Sequence, residues 1–166
     1  ENPNYLFVTL NTQDAESGNY QVVFKKGRKK LHQLEYQLLH REHNSRWRTG
    51  FDSSDVIYLI MPDRFANGDP TNDSHPEMRE KANRTFKGGR HGGDLQGVID
   101  HLDYLENLGV TALWSTPLLE DNDQRYSYHT YAQSDVYRID PRYGTNEDYK
   151  RLAQEMSKRD MKLIMD

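Results

Sequence analysis

The segment MPDRFANGDPTND, residues 61–73, and the closing triplet Gly92-Gly93-Asp94 together decide the fold of this chain. A short apolar run, residues 56–60, leads into the segment, and an amphipathic helical pattern starts at Asp94. Between these points, Gly and Pro turn a backbone that carries several oxygen-bearing side chains: Asn67, Asp69, Asn72 and Asp73. Calcium prefers several oxygen ligands of mixed kind, so one interpretation of the segment is a cation cage.

The same residue types are the ordinary residues of turns, and a solvated loop is therefore the alternative interpretation. An EF-hand is excluded, because the twelfth position counted from Asn67 is Met78, where that motif needs a glutamate. The glycine-rich stretch of residues 88–93 lies far from the preceding apolar run and lacks a following Lys-Ser or Lys-Thr. A phosphate cradle is therefore not expected there.

Composition limits the classes of function. The chain has 166 residues, 34% of them hydrophobic, and a formal net charge of −4 from mixed acidic and basic residues. This charge pattern gives no support for a nucleic-acid partner, and the basic run of residues 25–30 fits a solvated turn. The absence of cysteine excludes disulfides, thiol catalysis and cysteine-ligated zinc. No membrane span or signal peptide is visible, and the chain opens on Glu1, so we expect that the native N-terminus is absent.

The first third of the chain has the features of β structure. Strands are expected at residues 5–10, 20–24 and 31–39, with a turn at Lys26-Gly27. Three short strands make a poor independent fold. Residues 1–50 are therefore interpreted as the C-terminal part of an antiparallel β-sandwich domain, which ends in a linker.

The pattern then changes to alternating strands and helices. Short apolar strands are expected at residues 56–61, 110–114 and 161–165. One helix is expected from an N-cap at Asp94 to Gly109, which ends it, and a second helix begins at the cap Thr145. Trp114, at the end of its strand, is placed in the barrel core.

Helices between short apolar strands mean crossover connections and a parallel sheet. Both strand-to-helix loops are about thirty residues long, where two to six residues are usual, and both follow the carboxyl ends of strands. Long loops at that edge are typical of an α/β barrel that carries its active site there. Residues 51–166 are therefore interpreted as the first three strands and two helices of a TIM (β/α)8 barrel. A doubly wound, nucleotide-binding α/β domain is the alternative.

Residues 55–166 resemble the start of the catalytic barrel of the α-amylase family of glycoside hydrolases (family 13), in its neopullulanase and cyclomaltodextrinase branch. The resemblance rests on stretches that follow the family's order: Ile57-Tyr58, residues 63–69, 92–97 and 108–114, Thr116-Pro117, and residues 128–131, 140–145 and 161–166. It covers the larger part of the chain. The β-rich first third would then be the end of the sandwich domain that precedes the barrel in this branch.

The resemblance implies roles for individual residues. A calcium ion would be held by Asn67, Asp69, Asn72, Asp73, the carbonyl of Gly92, and Asp94. Tyr131 matches the aromatic residue that stacks on the sugar at the cleavage site, and His129 matches a neighbouring polar contact to that sugar. Asp166 matches the first Asp of a family motif that orders the site. The family often has Gly between the histidine and the tyrosine, where this chain has Thr130.

The same resemblance implies what the chain lacks. The family's nucleophile, general acid and transition-state stabiliser follow the fourth, fifth and seventh barrel strands, and a retaining mechanism needs two of these carboxylates close together. Asp166 ends the third expected strand. We therefore expect no catalytic carboxylate within residues 1–166 and no hydrolysis by this chain alone.

The expected function is that of a fragment of a retaining α-glucan hydrolase. The parent would cleave α-1,4 glucosidic bonds of pullulan, cyclodextrin or starch oligosaccharides and would bind Ca²⁺. A non-catalytic carbohydrate- or calcium-binding module is the alternative. The periplasmic members of the branch suggest a periplasmic or secreted location, with the cytoplasm as the alternative. Three strands of an eight-stranded barrel leave one edge and much apolar surface bare, so we expect the fragment to self-associate.

Overall fold

A computed structural model of the protein describes residues 7–43, 45 and 49–166. Contacts between residues divide the chain into two compact units, Glu1–Thr49 and Gly50–Asp166. No helix among the described residues is both long enough and apolar enough to cross a membrane.

The first unit contains an antiparallel hairpin. Its strands are β1 (Gly18–Lys26) and β2 (Lys29–Leu38), and Gly18 lies opposite Leu38. The turn between the strands needs Gly27, whose φ is +60°, because this left-handed conformation carries no steric penalty for glycine. Two of the strands expected in this region, and the turn between them, are confirmed.

The strand predicted at residues 5–10 is wrong where the structure describes it. Residues 7–10 form no strand, and residues 5 and 6 lie outside the described part of the chain. A strand needs a neighbour to satisfy its backbone groups, and among the described residues β1 and β2 pair only with each other. The β-sandwich therefore stays a prediction.

A parallel sheet forms the centre of the second unit. Its strands are β3 (Ile57–Ile60), β4 (Ala112–Ser115) and β7 (Lys162–Ile164), in the spatial order β3-β4-β7. Both pairings are parallel, with Leu59 opposite Trp114 in the first. The three parallel strands predicted from the sequence are confirmed, and the carboxyl ends of β3 and β4 lead into the two long loops.

Helices pack against one face of this sheet. They are α2 (Leu95–Asp100), α3 (Leu102–Asn107) and α4 (Asn146–Ser157), whereas α1 (Pro62–Phe65) is a single turn inside the first long loop. Side chains from helices and strands meet in a core that is almost fully shielded from solvent: Ile60, Leu95, Val98, Leu102, Leu105, Leu113, Leu152 and Met156. Burial of this apolar surface is the main stabilising term of the unit.

The predicted helix ends are confirmed. The Asp94 carboxylate accepts a hydrogen bond from the Gly97 N–H at 2.6 Å, and Thr145 forms a reciprocal capping box with Asp148. Gly109 has φ +89° and ends the helical segment in the left-handed conformation. These local signals set where each helical segment begins and ends.

The predicted single helix between Asp94 and Gly109 is wrong in one respect, because it breaks at His101. The His101 Nδ1 lies 2.8 Å from the carbonyl oxygen of Gly97, which is the acceptor that the His101 backbone N–H would use in a continuous helix. That N–H bonds instead to the Val98 carbonyl at 3.1 Å. A side chain that competes for the backbone acceptor interrupts the helical ladder. The prediction of only two helices is wrong for the same reason and because α1 is present.

The second long loop contains structure that the sequence analysis missed. β5 (Leu119–Glu120) pairs antiparallel with β6 (Asp135–Ile139), and between them lies a 3-10 turn, Ser127–His129. β5 has only two residues and most of β6 is exposed. Neither strand has the continuous apolar pattern by which the other strands of this unit were recognised.

The face of the sheet that points away from the helices is apolar and uncovered among the described residues. Ile57, Leu59 and Trp114 are 42%, 60% and 40% exposed. Trp114 lies on the face that would point into the interior of a complete barrel, so its assignment to the barrel core stays a prediction. Trp114 pairs with Leu59 and therefore lies on the same face of the sheet. The preceding residue, Leu113, points to the opposite face and packs against the helices.

Gly97→Ala should destabilise the second unit. A Cβ at Gly97 would lie 2.0 Å from the backbone oxygen of Ala66, so α2 or the first loop would have to move. Overpacking of this kind costs about 1–3 kcal/mol, against a gain of about 1 kcal/mol in helix propensity when Ala replaces Gly. Thermal unfolding followed by circular dichroism measures the difference.

The matched control for this variant is Gly50→Ala, because a Cβ at Gly50 meets nothing within 4 Å. The Gly50 variant should melt close to the unsubstituted protein. Equal melting temperatures for the two variants would contradict the packing argument.

Candidate functional site

Buried carboxylates hold the first long loop together. The Asp63 side chain, which is 1% exposed, accepts hydrogen bonds from the His91 N–H at 3.0 and 2.9 Å and from the Gly92 N–H at 3.2 Å. The Gly93 N–H also donates to the Asp63 carbonyl at 3.1 Å. These hydrogen bonds join the two ends of a loop of about thirty residues and so restrict its conformational freedom.

Asp94 connects the same loop to the start of α2. One carboxylate oxygen accepts from the N–H groups of Gly68 at 3.0 Å and Gly97 at 2.6 Å. The other accepts from the Asp69 N–H at 2.8 Å and the Asn72 Nδ2 at 3.2 Å. A carboxylate offers about four acceptor sites, so a cation bound by Asp94 would have to displace one of these four protein donors.

A second group of polar atoms lies beside it. The Asn67 Nδ2 donates to the Asp73 Oδ1 at 2.6 Å. Gly92 faces both, because a Cβ added there would lie 2.4 Å from the Asp73 Oδ1 and 2.9 Å from the Asn67 Nδ2. Asp69 is less directly involved, since its Oδ1 accepts from the backbone and hydroxyl of Thr71.

The structure places the residues predicted to hold calcium in two hydrogen-bonded groups, one around Asp94 and one formed by Asn67 and Asp73 beside Gly92. Two buried acceptors in these groups, the Oδ1 atoms of Asn67 and Asn72, have no hydrogen-bond partner. Buried oxygens without a partner are unfavourable, and amide oxygens are among the ligands that a hard cation accepts. Within the described residues no three His, Asp or Glu side chains form a metal-binding group by themselves. The site would therefore depend on amide and carbonyl oxygens as well as carboxylates.

The three residues predicted to contact sugar also lie together, although they come from different parts of the chain. The Tyr131 hydroxyl donates to the Asp166 Oδ2 at 2.9 Å, and this hydrogen bond raises the pKa of Tyr131. The His129 and Tyr131 rings lie 5.6 Å apart between centroids. Tyr131 is 60% exposed and lies at the carboxyl edge of the parallel sheet, where a ligand can reach it.

Thr130 occupies a conformation that normally favours glycine. Its φ is +54° and its ψ is 28°, in the left-handed region. The side chain is fully buried, and its hydroxyl donates to the Pro117 carbonyl. Thr130 therefore keeps the left-handed backbone conformation that glycine would adopt at this position, and its hydroxyl hydrogen bond helps to stabilise that conformation.

A buried charged network lies beneath this turn, and the sequence analysis did not identify it. Arg142 is 1% exposed and donates to both carboxylate oxygens of Asp140, at 2.9 and 2.7 Å. Burial alone would raise the pKa of Asp140, but the Arg142 hydrogen bonds and the nearby charges of Arg90 and Arg142 hold it below its usual range. The Arg90 guanidinium carbon lies over the Tyr143 ring, 4.6 Å from its centroid. Burial raises the pKa of Tyr143 to about 12.

The residues of this network are visible in the sequence, but their spacing does not predict that they are buried together. Asp140, Arg142 and Tyr143 lie in a stretch that supports the resemblance, and Arg90 lies in the glycine-rich run. Charged residues are seldom fully buried, so the pattern gave no reason to place these side chains inside. Only the folding of both long loops onto each other shows that they are buried.

The parallel strands, helices and long loops at the carboxyl edge place the second unit in the α/β class. Residues 59–166 match the family described as alpha amylase, catalytic domain, and residues 1–42 match cyclomaltodextrinase, N-terminal. Because the first match spans more than half of the chain, the protein belongs to the α-amylase catalytic-domain family.

Individual relatives agree with this assignment. The chain is 37% identical over 166 residues to neopullulanase 2 of Thermoactinomyces vulgaris, covering 98% of this chain and 27% of that protein. It is 38% identical over 111 residues to a cyclomaltodextrinase of a Bacillus species, covering 67% and 18%. The chain thus spans about a quarter or less of the length of these curated relatives.

Solved structures show the same relationship. The crystal structure of an Anoxybacillus α-amylase matches with a TM-score of 0.60 and 45% identity, over 68% of this chain and 23% of that one. The cyclomaltodextrin glucanotransferase CldA matches with a TM-score of 0.62 and 32% identity, over 69% and 25%. These matches support an α-amylase barrel fold for the second unit.

Proposed function

We propose that this chain is part of a retaining α-glucan hydrolase that cleaves α-1,4 glucosidic bonds in pullulan, cyclodextrin or starch oligosaccharides. The observation that carries the proposal is the group formed by Tyr131, His129 and Asp166 in a chain of the α-amylase family. This group lies at the carboxyl edge of a parallel sheet, where α/β barrels carry their active sites. A periplasmic or secreted location belongs to the same proposal.

Each residue of the group has a distinct proposed role. The exposed ring of Tyr131 provides a flat apolar surface against which the apolar face of a pyranose can stack. Asp166 accepts the hydroxyl hydrogen bond at 2.9 Å and so fixes the orientation of the ring. His129 offers a ring nitrogen beside the stacked sugar, while its Nδ1 lies 3.2 Å from the Tyr131 N–H. Together they would bind and orient one glucose unit.

The proposal assigns the hydrolytic step to the longer protein and not to these residues. A covalent glycosyl intermediate needs two carboxylates about 5 Å apart on either side of the scissile bond. The buried acids here are already committed to internal donors, as with Asp63 to backbone N–H groups and Asp140 to Arg142. We therefore propose that residues 1–166 alone do not hydrolyse glucans.

Calcium is a second part of the proposal. The ion would be held by residues of the first loop and the start of α2: Asn67, Asp69, Asn72, Asp73, the Gly92 carbonyl and Asp94. The partnerless Oδ1 atoms of Asn67 and Asn72 support this set. Asp69 and Asn72 also line a cavity of about 700 Å³ through which an ion could enter. Bound calcium would supply positive charge that fixes the loop.

Self-association is the third part. Ile57, Leu59 and Trp114 expose an apolar sheet face, and apolar patches of this kind mark contact surfaces. In a complete barrel this face would be covered by the remaining strands. We propose that the isolated chain covers it by pairing with further copies.

Hydrolysis is tested on the product of the complete reading frame that encodes this chain. Purified protein should release reducing sugar from pullulan, cyclodextrin or soluble starch. Tyr131→Ala should lower kcat/KM about tenfold or more, because the stacking surface is lost. Tyr131→Phe keeps the ring and should lose less than about fivefold, the range of one exposed hydrogen bond.

Two results would argue against the hydrolase. A reading frame that stops at Asp166 would favour the non-catalytic binding module, and so would a complete protein that binds maltoheptaose without cleaving it. Equal activity of the Tyr131→Ala variant and the unsubstituted protein would remove Tyr131 from the proposed sugar site.

Added calcium should raise the melting temperature of the protein. Asp69→Ala combined with Asp73→Ala should abolish this increase, because two proposed carboxylate ligands are removed. Differential scanning calorimetry with calcium and with EDTA measures the effect. Asp100→Ala combined with Asp103→Ala removes the same charge from α2 and α3 and should preserve the response. An unchanged calcium response in the first variant would rule out this site.

Residues 1–166 should sediment as species larger than a monomer at micromolar concentration. Leu59→Gln combined with Trp114→Gln should shift the distribution towards monomer, because the exposed apolar face becomes polar. Leu108→Gln is the control, since Leu108 is also exposed, at 55%, but lies at the end of α3. A single monomeric species for the unsubstituted chain would contradict the proposal.

A further inference from the structure

The turn that carries the proposed sugar-binding residues is held in an unfavourable backbone conformation. The 3-10 turn Ser127–His129 is flanked by Tyr126 at φ +63° and Thr130 at φ +54°. Neither is glycine, and non-glycine residues persist in the left-handed region only where surrounding contacts enforce it. The position of His129 and Tyr131 therefore depends on whatever holds this turn.

Two buried side chains of opposite charge hold the Ser127 peptide groups from both sides. The Glu80 Oε2 accepts from the Ser127 N–H at 2.7 Å, and its Oε1 accepts from the Tyr126 N–H at 3.3 Å. The Arg90 Nη1 donates to the Ser127 carbonyl at 2.9 Å. Glu80 is 8% exposed and Arg90 is 1% exposed. Hydrogen bonds from charged groups in such surroundings are roughly twice as strong as neutral ones.

Arg90 is poorly satisfied for a buried cation. Its Nε and Nη2 atoms have no hydrogen-bond partner. The nearest carboxylate oxygens are 3.9 Å away on Asp63 and 3.7 Å away on Asp140, beyond hydrogen-bond distance. Burial lowers the pKa of Arg90, which reflects the cost of removing its charge from water.

The neighbouring Arg142 provides the contrast. It is equally buried, yet it makes hydrogen bonds to the Asp140 carboxylate and to the backbone oxygens of Glu80 and Asp121. Arg142 thus has the contacts expected of a structural arginine. Arg90 is held in a less favourable environment, with its one short hydrogen bond to protein directed at the Ser127 carbonyl.

We propose that Glu80 and Arg90 are a pair of positioning residues that set the turn 126–131 for glucan binding, an inference that rests on the proposed function. Neither residue touches the sugar. Glu80 fixes the N–H side of the Ser127 peptide groups, and Arg90 fixes the carbonyl side. Loss of either contact lets the left-handed residues relax, which moves the Tyr131 ring away from Asp166.

The pair is tested by kinetics in the complete protein with maltoheptaose as substrate. Glu80→Gln and Arg90→Lys keep nearly the same volume, but the first removes one acceptor and the second removes the planar fork that reaches Ser127. Each should raise KM about tenfold and change kcat less than about twofold, because binding by a stacked ring is lost equally in the ground and transition states. A role in stability alone would not produce this separation.

Thr145→Ala is the control, because it weakens the N-cap of α4 without contact to the turn. It should lower the melting temperature and leave KM unchanged. The pair is overturned if both substitutions leave KM within twofold, if only one of them raises it, or if either variant fails to fold at 25 °C. Absence of hydrolysis by the unsubstituted protein would instead overturn the proposed function, which keeps the two failures distinct.

Discussion

The Asp94 carboxylate is the constraint on which the second unit depends. Its two oxygens accept from Gly68, Asp69, Asn72 and Gly97, so one side chain both caps α2 and holds the first loop against the helix start. A negative charge at this helix end is also favoured by the helix dipole. Removing it would leave one buried and three partly buried N–H groups without acceptors, and such groups are costly. The loop and the helix therefore form as one piece.

Charged side chains of the first long loop also bind backbone groups of the second long loop. Glu80 accepts from the N–H groups of Tyr126 and Ser127, and the Arg142 guanidinium donates to the Glu80 carbonyl at 2.9 Å. The loops thus stabilise each other through charged side chains bonded to backbone groups. Such a network is stable only when nearly all its members are satisfied, and Arg90 is the member that departs from this rule.

Sequence reasoning predicted the features that are decided locally. Asp94, Thr145 and Gly109 act at the helix ends through contacts within a few residues, so their residue types suffice to place them. The three parallel strands followed from short apolar runs between those ends. The break at His101 was missed although its contact to Gly97 is local, because a histidine ring that bonds to the backbone of its own helix is not a standard helix-end signal. The pairing of β5 with β6 was missed because it depends on contacts between separate parts of the second long loop.

The candidate site also contains residues that could be predicted from the sequence and residues that could not. Resemblance placed Tyr131, His129 and Asp166 in one site, and the structure brings them together, but their roles in binding remain proposals. Glu80 and Arg90 could not have been found from spacing, because they lie about forty residues from the turn they hold and carry charges that usually face water. Burial of a charge is a property of the folded loops and not of any local pattern.

The proposed cation and the proposed sugar site are held by different hydrogen bonds, and the Asp63–Arg90 ion pair, at 3.9 Å, links the two sets. The Asn67, Asp73 and Gly92 group joins the rest of the unit through Asp63 and Asp94, which bind backbone in the first loop and α2. The sugar-binding turn is held instead through Glu80, Arg90 and Thr130. Because these two sets of hydrogen bonds share no side chain, a bound cation would act mainly on the entropy of the first loop. Its effect would therefore fall on stability more than on the affinity for a glucan.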